Sequence, residues 1–145
     1  MKRLLPLFAA ALFIFAATMG DAPVKKITVT GHLVDTKCYG MGTAMGKPGM
    51  NYGNDHMIKK GDKMMKVPNC ATACASMGIP VGIVDGSKPG NKTYIIITSA
   101  TALKDHMDQE ARVTGEEAFP GSIIAGKVEV KVDGKWKDVT PGAMM

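Results

Sequence analysis

Three cysteines, one histidine and a run of methionines are the residues of this 145-residue chain whose types and spacing could do chemistry. Cys70 and Cys74 stand four positions apart in Pro68-Asn69-Cys70-Ala71-Thr72-Ala73-Cys74. On a helix that spacing puts both sulfurs on one face. It is awkward for a disulfide, because the Cβ vectors along an intact helix do not meet. Cys38 ends a strand-like segment, and His56 lies in the stretch between Cys38 and Cys70. Two ligands from one helical turn, one from a strand end and an imidazole can converge on a single ion. Cys38, His56, Cys70 and Cys74 together form a Cys3His set, a composition used by structural zinc. Their spacings match no standard zinc-finger signature.

Copper is the competing metal. Met41, Met45, Met50, Met57, Met64, Met65 and Met77 all fall between Cys38 and Gly78. Thioether and thiolate sulfur are soft donors that favour Cu(I), so Met41, Met45 and Met57 are additional soft ligands on offer. The plainer expectation for a methionine is gap filling, and Met77 is expected to pack into the barrel. Two other uses of the cysteines stay open. One is a disulfide from Cys38 to Cys70 or Cys74 with one thiol left over; the other is a redox pair with Cys-x-x-x-Cys spacing. His32 on a strand and His106 on a helix read as ordinary residues, and Tyr39 as a packed aromatic. The chain has no Cys-x-x-Cys-His for haem, no phosphate loop and no Ser/His/Asp set in a recognisable context. Asp105-His106 and Glu116-Glu117 are isolated charged pairs, so the sequence leans away from an enzyme.

The elements that must position these residues are mostly strands. Ile27 to Val34 alternates apolar and polar residues, with Gly31 as a bulge candidate. Asn69 can cap a short helix ending at Gly78. Val81–Val84 and Thr93–Ile97 flank the turn-forming stretch Asp85-Gly86-Ser87-Lys88-Pro89-Gly90-Asn91. Ser99 can cap a helix through about Met107. Ala111–Gly115 is a short strand, Ser122–Val132 a long one, and Asp133-Gly134 turns the chain into Trp136–Val139. Residues 39–66, rich in Gly, Met and Lys, show little periodicity and read as an irregular loop insertion. A helix between the third and fourth strands of a five-stranded Greek-key barrel is the OB arrangement. The expected fold is therefore a mainly β, small OB-like barrel with one or two short helices, with a plain β-sandwich or an open α+β sheet as the alternative.

The N-terminus reads as a signal for export. Lys2 and Arg3 precede an apolar run from Leu4 to Ala17, too short to span a bilayer. Gly20 and Ala22 suit the −3 and −1 positions of a cleavage site. This divides the chain into a cleavable signal, 1–22, and one domain, 23–145. The formal charge of +5 becomes +4 on losing Lys2, Arg3 and Asp21 (5 − 2 + 1), too mild to mark a nucleic-acid binder. Export to the periplasm or beyond places three cysteines in an oxidising compartment, where a disulfide or a metal must account for them.

The string Gly31-His32-Leu33-Val34-Asp35-Thr36-Lys37-Cys38-Tyr39, then His56, then Cys70-Ala71-Thr72-Ala73-Cys74 through Gly82, resembles a group of small exported bacterial proteins. Those are similar in a Gly-x-Val-x-Asp-x-x-Cys … His … Cys-Ala-x-x-Cys-Ala-x-x-Gly-x-Pro pattern and are mostly uncharacterised. Val113-Thr114-Gly115 and Gly121-Ser122-Ile123 extend the likeness. In the group the histidine stands only a few residues before the cysteine pair, whereas here a Lys- and Met-containing stretch separates His56 from Cys70. The resemblance implies an OB-type domain and groups the four residues. The expected function is a periplasmic metal-binding protein, with structural zinc or copper carriage or sensing at the Cys3His set. An unknown periplasmic protein, or a metal donor or acceptor, is the expected partner. A disulfide-braced ligand- or protein-binding module and a thiol-redox accessory are the alternatives.

Overall fold

The computed structural model describes residues 25–142. The expected signal, 1–22, lies outside the described residues.

The domain is mainly β. Strand β1, Lys26–Asp35, leads into helix α1, Cys38–Ala44; strands β2, His56–Lys60, and β3, Lys63–Val67, follow, then helix α2, Cys70–Ser76. The rest comprises β4, Val81–Asp85; β5, Thr93–Ile97; a 3-10 helix, Ala100–His106; β6, Glu110–Glu116; β7, Ser122–Val132; and β8, Lys135–Asp138. A six-stranded sheet runs in the order β5-β4-β1-β6-β7-β8, and β2-β3 is a separate hairpin. The neighbours in that order are antiparallel, while β5 also pairs with β7 in parallel, Ile95–Ile97 against Ser122–Ile124. Hydrogen bonding thus passes in a ring through β1, β4, β5, β7 and β6, with β8 on the outer side of β7.

Apolar positions along the strands of the large sheet set what each buries. Leu33, Ile83, Val113, Ile123, Val128 and Val130 are inaccessible and form the centre of the main core. Helix α2 adds Ala71 and Ala75 to it, and the 3-10 helix adds Ala100 and Leu103. A smaller cluster of Val34, Tyr39 and Val84, with Tyr52 against it, fixes the chain after β1. Tyr52 meets Tyr39 edge-on at 5.7 Å and stacks on His32 at 4.6 Å, so the segment leading to β2 is pinned by aromatic contacts.

Several expectations need correction. Residues 39–66 are not irregular throughout, since they contain α1 and the β2–β3 hairpin. Gly31 is not a bulge. It sits where β1 changes partners, paired with both Asp85 and Ala111, and a Cβ there would lie 1.9 Å from the Val84 carbonyl oxygen. The register shift falls instead at Thr114/Gly115 between β6 and β7. Met77 does not pack inward. Ala71, Cys74 and Ala75 form the buried face of α2, and Met77, past its end, is 70% exposed.

Candidate metal centre

The end of β1 builds the first corner of the site. Asp35 is fully buried, and its Oδ1 accepts the backbone N–H groups of Lys37 at 3.1 Å and Cys38 at 2.8 Å. Those are otherwise unpaired donors at the start of α1, and a carboxylate facing them is favoured by the helix dipole. Asp35 therefore holds Cys38 in the first turn with its side chain turned to the interior.

The second corner is α2, whose first residue is Cys70. Asn69 precedes it with φ of 51° and makes no capping bond from its own side chain. Asn54 caps the helix instead. Its carbonyl accepts the Ala71 N–H at 3.0 Å, and its Oδ1 accepts the Thr72 N–H at 3.0 Å. Asp55 Oδ1 accepts the Asn69 N–H at 2.9 Å, while its other oxygen pairs with Lys66. The capping segment runs straight into His56, so satisfying the start of α2 also brings the imidazole beside Cys38.

The three sulfurs of Cys38, Cys70 and Cys74 lie within 4.8 Å of one another. A second group, Asp35, Cys38 and His56, is equally close, so Cys38 belongs to both. His56 is fully buried, and its Nε2 is 3.0 Å from the Gly53 carbonyl oxygen. A carbonyl only accepts, so Nε2 carries a proton; in the neutral tautomer Nδ1 is then the ring's acceptor. Nδ1 has no partner among the described residues, nor has Asp35 Oδ2, which lies 3.3 Å from His56 Nε2 in ion-pair range. Buried polar atoms without partners are costly, and each of these two carries a lone pair that a cation can engage.

The electrostatics run the same way. Burial pushes the Cys74 thiol up to about 12, helped by the negative charge of Asp35 and by Cys38 and Cys70. Burial likewise raises Cys38, with Asp35 next in effect. Without a cation the pocket holds these two thiols protonated. That is opposite to the lowered thiol of a redox nucleophile, and a bound cation would reverse the balance.

The structure brings Cys38, Cys70 and Cys74 together as the spacing predicts, and all three are free thiols. It places His56 with Cys38 and Asp35 rather than with the α2 pair. Asp35 is the residue sequence reasoning missed. Its signal was the Asp-x-x-Cys spacing, which sets a carboxylate where it can cap the turn that carries the cysteine. Met41, Met45 and Met57 line a groove that reaches Cys38. His32 pairs with Asp108, and His106 Nδ1 lies 3.2 Å from Gln109 Oε1, both away from the thiols. Tyr39 is a packed aromatic whose hydroxyl accepts the Gly90 N–H at 3.1 Å.

No family model matches the chain, and neither a curated protein nor a solved structure matches it. Among the described residues no helix is long and apolar enough to cross a membrane.

Proposed function

We propose that this is an exported metal-binding protein whose ion is held by Cys38, Cys70 and Cys74, with His56 as the fourth ligand through Nδ1. The observation that carries the reading is three thiols within 4.8 Å of one another; a buried imidazole whose Nδ1 has no partner stands beside one of them, Cys38. A zinc–sulfur bond of about 2.3 Å implies sulfur–sulfur edges of roughly 3.8 Å in a tetrahedron, so the thiols need to draw in by about 1 Å at most. A trigonal soft ion asks for a similar contraction. Asp35 supports the centre by positioning Cys38 and supplying negative charge near the ion, as outer carboxylates commonly do.

The ring of β1, β4, β5, β7 and β6, with a helix between the third and fourth of these strands in chain order, supports an OB-type reading of the barrel. The charged, short-apolar N-terminus supports export to the periplasm. The partner would be a metal donor or acceptor in that compartment, not a nucleic acid. Elemental analysis of protein purified from its own compartment is expected to give one zinc or copper per chain. Cys38→Ser, Cys70→Ser and Cys74→Ser are each expected to lose it.

A second reading has one observation behind it. The same proximity would let Cys38 join Cys70 or Cys74 in a disulfide, bracing the barrel with one free thiol remaining. Intact mass and thiol counting separate the two. A metal-free chain with one thiol and a mass lower by two hydrogen atoms would replace the metal reading with the braced one.

A further inference from the structure

The β2–β3 hairpin faces α1 across a groove of about 480 Å³, and Cys38 forms part of its lining. Met41 lines it from α1, Met45 from the cap at the end of α1, Met50 from the following loop, and Met57 and Met64 from the hairpin. This is not core. Met41 is 55% exposed, Met45 60%, Met57 40% and Met64 49%. The sequence sets their direction. Met41 and the cap residue Met45 are four apart, joined by the Met45 N–H to the Met41 carbonyl at 3.0 Å, so they share one side of that turn. Met57 shares a strand face with Lys59, whose cross-strand partner is Met64. Two separate elements therefore turn thioethers into one groove that ends at a thiol of the metal centre.

The lining holds no carboxylate and no imidazole, and Lys47 and Lys59 stand in it. A hard or strongly hydrated divalent ion finds no anionic donor there, the Asn51 Oδ1 already accepts the Met57 N–H, and the ion meets positive charge. A soft monovalent ion finds neutral sulfur, the donor that suits Cu(I).

We propose that the groove is a thioether relay for Cu(I), along which the ion reaches and leaves the Cys38 thiolate. The proposal rests on the metal-centre reading above and narrows it to copper carriage. Each step is ligand exchange without change of oxidation state. Cu(I), supplied already reduced by a donor that holds it, binds the exposed thioethers; a bond to Cys38 sulfur then forms as the thiol proton passes to solvent and a thioether departs. Release to an acceptor is the reverse.

The experiment is stopped-flow transfer of Cu(I) from a chromophoric chelator to the full domain under argon, repeated with Zn(II). The variant is Met41→Leu/Met45→Leu/Met57→Leu/Met64→Leu, whose substitutions conserve volume. It is expected to reach the wild-type Cu(I) stoichiometry about tenfold or more slowly, with its Zn(II) rate unchanged, because only the thioether donors differ. An unchanged Cu(I) rate would overturn the relay, and so would an equal slowing with zinc, which marks a merely structural effect. Methyl-labelled methionine spectra of the wild-type protein titrated with Ag(I), a redox-inert stand-in, need no variant. Shifts at the groove methyls support the relay, and silence at all of them overturns it. Cys38→Ser separates the two levels. If that variant binds Cu(I) as the wild type does, the metal-centre reading fails; if it does not bind while the methionine variant loads at normal speed, only the relay fails.

Discussion

Raising the pH is expected to tighten metal binding steeply, and the slope follows from the state of the thiols. Burial holds Cys74 at about 12 and lifts Cys38 above its ordinary value of 9.0. At pH 7 a thiol titrating near 12 is ionised in about one molecule in 10⁵, so binding as thiolate must expel its proton. Each proton expelled makes the apparent association constant rise about tenfold per pH unit. Cys38 and Cys74 together then give about hundredfold per unit between pH 6 and 8, roughly 2.7 kcal/mol. The window closes about one unit below the ordinary thiol value of 9.0, which both groups exceed. Chelator competition at several pH values, corrected for protonation of the chelator, reads the slope. A weakly buffered indicator reads the released protons directly. Fewer than one proton per ion across pH 6 to 8 would refute the reasoning, because these thiols would then be either already ionised or not ligands. The metal-free fold carries the matching sign. A raised thiol contributes stability that is complete below about pH 9 and is lost as pH climbs toward 12.

Other perturbations test the parts that position the site. Asp35→Asn keeps an oxygen for the Lys37 and Cys38 N–H groups but removes the charge that helps to raise both thiols, so metal-free protein is expected to be alkylated faster at little cost in melting temperature. Asp35→Ala loses both capping bonds and is expected to cost about 2–3 kcal/mol in denaturant titrations. Asn54→Ala removes the cap on Thr72 and is expected to cost about 1 kcal/mol, and to weaken metal binding without touching a ligand, because His56 follows that segment. Gly31→Ala drives a Cβ to 1.9 Å from the Val84 oxygen and is expected to cost about 3 kcal/mol or more in urea melts, since backbone rather than a side chain must yield.

How much of this was legible depends on what kind of signal each element leaves. β1, β5 and β7 show alternating stretches of Val, Ile and Leu, and β4, buried on both faces, is a short apolar run flanked by turn residues. Asp133 and Gly134 both take positive φ, 49° and 77°, as the two-residue hairpin turn between β7 and β8 requires. Helix α1 left no such mark. Two of its seven residues are glycine, and no residue in its first turn is acidic. Its support comes from Asp35 outside the helix and from close packing, since a Cβ on Gly42 would lie 2.8 Å from the Met50 carbonyl. The β2–β3 hairpin is exposed on both faces except at His56, so no apolar alternation distinguishes it from loop. The cysteine trio was readable because helical spacing is a local property. The partnership of His56 with Asp35 was not, because it depends on a cap formed between residues 54 and 72.

Whether the ion staples the fold or is cargo can be argued from where the core lies. The main cluster runs through Leu33, Ile83, Val113, Ile123 and Val128, and neither hydrophobic cluster contains a cysteine. The ring of strand pairings closes through β5 and β7, away from α1 and the thiols. Small zinc modules unfold without metal because they have no such core. Here the ion-free pocket keeps Cys38 and Cys74 neutral, so like charges are not forced together when the ion leaves. Removing the metal with a strong chelator under reducing conditions is therefore expected to leave the β-sheet circular dichroism intact and to lower the melting temperature only by what ligand linkage supplies. The segments that should loosen are α1, the β2–β3 hairpin and the first turn of α2, read as faster amide exchange at residues 38–76 than in β6 and β7. Loss of the sheet signal on chelation would overturn the argument and make the centre a structural staple; retention fits an ion that comes and goes past exposed thioethers.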